Sequence, residues 1–160
     1  MGETINTQTV IDISLDIQTK RKYRINGDDN LIIELNPGDM GIIARYQHAM
    51  PKINSLMEKA DAVEFSDEVD IDDPAIGQFK EINAEIRDIV NEIFDYDVCS
   101  VCADGGSMFD MCNGKLRFEE LIEQLFSLYD KTINAEFKKV QKRMQKHTDK
   151  YLPQDHRKKS

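Results

Sequence analysis

Cys99-Ser100-Val101-Cys102 is the sharpest chemical feature of the chain, and a third cysteine follows at Cys112. Two thiolates separated by two residues can bind one tetrahedral zinc ion, so Cys99, Cys102 and Cys112 are the candidate metal ligands. A closed site needs a fourth. His147 lies about 45 Å from that loop along a continuous helix, which leaves His48, Asp104, Asp110 or a second subunit. A thioredoxin-like redox role needs a βαβ context that the flanking pattern lacks. The plainer reading is that these cysteines are small apolar side chains filling a Gly-containing loop. No cofactor is expected on that reading, with zinc as the alternative.

The other reactive side chains do not assemble into a pattern. Residues 60–73 hold seven carboxylates, yet no register supplies both the Gly and the Glu that an EF-hand loop requires. A solvated acidic linker is the simpler reading. The histidines are His48, His147 and His156, two of them in a basic C-terminal stretch. No nucleophile elbow, phosphate-binding loop or zincin motif is present. The expectation is a protein that is not an enzyme.

The charge is unevenly spread. From Lys138 to Ser160 nine basic residues face two acidic ones, so this stretch carries +7 and the remainder −16 of a net −9. A basic end on an acidic body can attract copies of the chain, an acidic partner or nucleic acid. Aromatic interleaving there is limited to Phe137 and Tyr151, which disfavours a base-stacking surface. Three cysteines, an odd number, do not suit a secreted disulfide scaffold. Met1–Asn6 lacks the apolar core of a signal peptide, and no apolar run reaches the roughly 20 residues that span a bilayer. A cytoplasmic protein without a membrane partner is expected.

Hydropathy patterning predicts an α+β fold of one domain over 10–151, with a loose start at 1–9 and a disordered basic tail at 152–160. Ile11, Ile13, Leu15 and Ile17 alternate with polar residues and predict a first strand. Tyr23 and Ile25, a turn at Asn26–Asn30, and Leu31, Ile33 and Leu35 complete an antiparallel β-meander over 10–35. Asn36-Pro37-Gly38-Asp39 then predicts the start of a helix over about 37–59, which Pro51 should kink or split. Asp73-Pro74 opens a second helix, about 74–95, with an apolar stripe from Ile76 to Ile93.

The third helix, about 115–151, is predicted to be the longest, at roughly 54 Å. A body of this size has a radius of gyration near 15 Å, so such a helix should overhang it. Its stripe, Phe118, Ile122, Leu125, Tyr129, Ile133, Phe137, Val140 and Met144, is therefore the candidate partner-binding face. Covering it calls for self-association or another protein.

Taken in order, these pieces resemble a known family. A short β-meander precedes a helix reading Ile43-Ala44-Arg45-Tyr46-Gln47-His48-Ala49-Met50. An acidic gap leads to a second helix ending Ile93-Phe94-Asp95. A loop with Gly105-Gly106 leads to a helix carrying Phe118-Glu119-Glu120-Leu121-Ile122. Over roughly residues 10–150 this is similar to the tail-assembly-chaperone-like proteins of phages and prophages of Gram-positive bacteria; the cysteines depart from the family's usual loop. The resemblance implies a helical, cytoplasmic chaperone of the bacterial host that coats the tape-measure protein. It would keep that protein soluble until tail-tube subunits polymerise around it. It also implies a frameshifted longer product, with which Lys158-Lys159 is compatible. Scattered methionines, Met50, Met57 and Met108 among them, suit a surface that accepts several registers of a partner, while the plainer reading of any one of them is that it fills the core. The alternatives are a zinc-stabilised structural module and a nucleic-acid-binding regulator that uses the basic tail.

Overall fold

Asn26-Gly27 is the first decision the chain makes. Both residues take positive φ, 54° and 73°, which matches the right-handed twist of a two-residue hairpin. Strand β1 (Arg21–Ile25) therefore turns directly into β2 (Asp28–Leu35), with Tyr23 opposite Ile33 and Arg21 opposite Leu35. The turn is shorter than the sequence predicts, since Asp28 and Asn30 already belong to β2. The computed structural model describes residues 9–15, 19–63, 73–103 and 106–149, with side chains of the last helix described as far as Met144. The loose start at 1–8, Ile17, the middle of the acidic linker, Asp104, Gly105 and the tail at 152–160 lie outside the described residues.

The predicted three-stranded meander is a two-stranded sheet. Residues 9–15 form no strand, and Val10, Ile11, Ile13 and Leu15 stay 87, 78, 71 and 64% exposed. Alternation marks the face a strand would bury, but it does not supply a neighbour to bury it against.

Helix α1 spans Gly41–Asp61, four residues later than the sequence predicts. Asn36 and Asp39 spend their side chains on local turns. Asn36 Oδ1 accepts from Gly38 N at 3.1 Å and Asp39 Oδ1 from Gly41 N at 2.9 Å, the usual competition of Asn and Asp with helix. The helix is neither split nor ended at Pro51. Ala49, Met50 and Ile53 are buried on either side of it, and this packing offsets the lost backbone bond. Helix α2 spans Pro74–Phe94 much as predicted: Asp73 accepts from Ala75 N at 2.9 Å, Pro74 sits at the first turn, and Asp95 closes the end in the left-handed region at φ 53°.

Three short elements fill what the sequence suggests is a loop: helix α3 (Val98–Cys102) and a hairpin of β3 (Met111–Cys112) and β4 (Lys115–Leu116). Asn113-Gly114, with φ 55° and 78°, repeats the turn chemistry of Asn26-Gly27.

The single long third helix is two helices, α4 (Arg117–Phe126) and α5 (Lys131–Asp149). The last turn of α4 tightens into i→i−3 bonds from Ser127, Leu128 and Tyr129, and Asp130 N donates instead to Pro37 O at 2.9 Å. Asn134 N donates to Asp130 O at 2.9 Å as α5 begins. Folding back cancels the expected overhang. Phe118, Ile122, Leu125, Tyr129, Ile133, Phe137 and Val140 are all at most 6% exposed, and Met144 packs partly buried on the same core. The stripe expected to meet a partner is the chain's own interior.

Five rings knit the long helices together. Phe126 stacks on Phe137 at 4.0 Å and 8°, meets Tyr46 at 5.7 Å and Phe94 at 5.6 Å edge-on, and lies 5.5 Å from Tyr129. The edge-on contacts with Tyr46 and Phe94 suit aromatic quadrupoles. The fold is thus mixed, an antiparallel hairpin followed by helices.

Candidate functional site

The cysteine loop is held by a polar ladder on one face of α2. Asn83, Arg87 and Asn91 recur every four residues, so they stack along one side of the helix. Asn83 Oδ1 accepts from Met108 N at 2.7 Å, Arg87 Nη1 donates to Gly106 O at 3.0 Å, and Asn91 Oδ1 accepts from Cys99 N at 3.0 Å. Asn91 Nδ2 also donates to Asp97 Oδ1 at 2.9 Å, and the same oxygen accepts from Ser100 N at 3.2 Å as the cap of α3. Hydrogen bonds from Ser100 and Asn91 hold the Asp97 carboxyl below its ordinary pKa. Sequence reasoning passed over this ladder, although polar residues at a strict spacing of four beside an apolar stripe are its visible signal.

Within that frame the three cysteines part. Cys99 is fully buried, and its thiol lies 3.6 Å from Arg87 O. Burial, partly opposed by the Arg87 charge, pushes the thiol up to about 12. Cys102 is half-buried and is also pushed up by burial. Together with Cys112 it lines a cavity of about 350 Å³, walled by Ile25, Ala103, Arg117, Leu121 and Leu125 among others. Among the described residues no group of three or more His, Cys, Asp or Glu side chains is gathered closely enough to hold a metal ion.

Arg117 anchors the cavity's edge. Its guanidinium reaches Asp110 at 3.3 Å and Ala103 O at 3.5 Å, while its Nε is buried without a partner among the described residues. It also explains Gly106, where a Cβ would come within 2.5 Å of Arg117 Nη1 and 3.0 Å of Ala103 O.

A second surface lies on the far side of α1. Two open grooves share Pro51 and Ser55 as a common wall. One, of about 480 Å³, runs toward α5 and is lined by Asn54, Glu58, Arg143 and Met144. The other, of about 450 Å³, runs toward α2 and is lined by Lys52, Leu56, Glu85 and Ile89. Leu56, Ile89 and Met144 give the pair apolar floors, and alternating charges form the rims. Asn54 lines the first groove with its Oδ1 buried and unpartnered among the described residues.

No protein-family model, curated protein or solved structure matches the chain. Among the described residues no helix is long and apolar enough to cross a membrane.

Proposed function

We propose that this chain is a non-enzymatic binding protein of the phage or prophage tail-assembly-chaperone kind, acting in the bacterial cytoplasm. Its client is the tape-measure protein, which it holds soluble until the tail-tube protein assembles around it. The observation that carries the reading is the pair of grooves flanking Pro51. Apolar floors bounded by Lys52 and Glu85 in one groove and by Glu58 and Arg143 in the other suit the stripe of an amphipathic client helix. This surface replaces the α4–α5 stripe, which the chain's own core occupies. The acidic net charge of −9 suits a species that must stay soluble with an aggregation-prone client.

The test is co-expression with the tape-measure protein of the same gene cluster, followed by pull-down from the soluble fraction. The wild-type chain should bring the client into solution. The Ser55→Arg variant, altered at an exposed position in the shared wall, should stay soluble itself and leave the client behind. A client that remains insoluble with the wild-type chain overturns the proposal.

A further inference from the structure

Residues 9–15 have the pattern of a strand and β1 has an open edge, and among the described residues the two do not pair. The segment alternates Ile11, Ile13 and Leu15 with Asp12 and Ser14, and its apolar members are 64–78% exposed. Among the described residues β1 has no backbone partner except β2. The hairpin's second strand is occupied, because α3 packs against β2 and the Tyr96 hydroxyl donates to Ile32 O at 3.4 Å. An open edge beside an exposed apolar strand is a configuration that proteins ordinarily block.

The two pieces match in face and in charge. Tyr23 and Ile25 turn toward the core while Lys22 and Arg24 turn outward. An added strand that sets Ile11, Ile13 and Leu15 beside Tyr23 and Ile25 sets Asp12 beside Lys22 and Arg24. Lys20, Arg21, Lys22 and Arg24 put four cations into five residues of a chain whose net charge is −9.

Reaching that edge within one chain requires closure over the five residues Asp16-Ile17-Gln18-Thr19-Lys20, which contain no Gly, Asn or Pro. Both hairpins among the described residues use Asn-Gly. That stretch lacks the Asn-Gly pair, and only Asp16 in it readily takes positive φ, whereas a second molecule needs no turn at all.

We propose that residues 9–15 of one copy add to the outer edge of β1 of a second copy, reciprocally, giving a strand-exchanged dimer. Exchange makes the interface isologous, so both exposed segments and both open edges are satisfied in one closed pair. The dimer uses the β-hairpin and leaves the Pro51 grooves free, so it stands or falls separately from client binding.

The test measures the mass of the full chain by light scattering across a concentration series, for the wild type and for Ile13→Pro. Proline removes a backbone donor from the added strand at a position that is 71% exposed in the isolated chain. The wild type should have twice the chain's mass and Ile13→Pro the mass of one chain, with unchanged helical circular dichroism. Carbodiimide coupling in an equal mixture of ¹⁴N and ¹⁵N protein should then join Asp12 to Lys20 or Lys22 between differently labelled chains. A monomeric wild type overturns the proposal. So does a dimer indifferent to Ile13→Pro, or coupling confined to chains of one label, which would make residues 9–15 a third strand of their own sheet.

Discussion

Replacing Phe126 by Ala attacks the point where the chain folds back on itself. Phe126 is fully buried and touches the rings of Tyr46 on α1, Phe94 on α2, Tyr129 in the turn and Phe137 on α5. Phe→Ala in a core costs about 3–5 kcal/mol. Each ring pair adds about 0.5–1.5 kcal/mol beyond area, so four partners place Phe126→Ala near the upper end, at about 4–5 kcal/mol. With a slope of about 2 kcal/mol/M, the urea midpoint should fall by about 2 M at unchanged slope. Phe109→Ala is the control: half-buried, with the ring of Phe79 at 4.8 Å, it should cost about 1–2 kcal/mol. The assay is urea unfolding followed by far-ultraviolet circular dichroism. If Phe126→Ala costs no more than Phe109→Ala, α4 and α5 are not folded onto α1 and α2, and the reasoning from the break at 127–130 fails.

Thiol labelling of the folded protein at pH 8 should modify Cys102 and Cys112 while Cys99 reacts only in denaturant; equal rates for all three would refute the buried placement of Cys99. Burial raises Cys99 from 9.0 to about 12, so the fold favours the neutral thiol. That contribution is complete below pH 9 and is lost as pH rises toward 12. Tyr46 and Tyr129, also raised by burial, act in the same sense above pH 10. Urea midpoints should therefore fall from pH 9 to 10, and less so in Cys99→Ala. Asn91→Ala removes an acceptor for Cys99 N and a donor to Asp97, and should cost about 1–2 kcal/mol with faster amide exchange at Cys99; unchanged exchange there would contradict the ladder. Asp73→Ala should cost about 1 kcal/mol by unfolding titration through loss of the α2 cap, and a neutral result would remove that cap from the account.

Local chemistry was legible where one residue type has one cheap use. Asp73-Pro74 marks the start of α2 to the residue, and Asn26-Gly27 marks the first hairpin. Asn36 and Asp39 are equally good caps in isolation, yet they serve turns before α1, because an Asn or Asp side chain satisfies nearby backbone in either setting. The break in the last helical stretch was hidden by continuity of pattern. Leu125, Tyr129, Ile133 and Phe137 keep the helical step across Ser127–Asp130, since both halves face one core, and no Gly or Pro interrupts them. Residues 9–15 failed in the opposite way, with a clean strand pattern and no strand partner among the described residues. The cysteines were visible as residues, but their divergence was not, because it depends on the Asn83–Arg87–Asn91 ladder that turns Cys99 inward. The Pro51 grooves arise from the packing of α1 against both α2 and α5, a long-range arrangement that no spacing in the sequence records.

The most direct measurement is hydrogen exchange of the full chain, followed by mass spectrometry, with and without a soluble tape-measure fragment. New protection is expected on residues 51–58 of α1, near Glu85 and Ile89 of α2 and around Arg143 of α5, with the cysteine loop unchanged. No added protection anywhere, or protection confined to the cysteine cavity, would contradict client binding in the grooves.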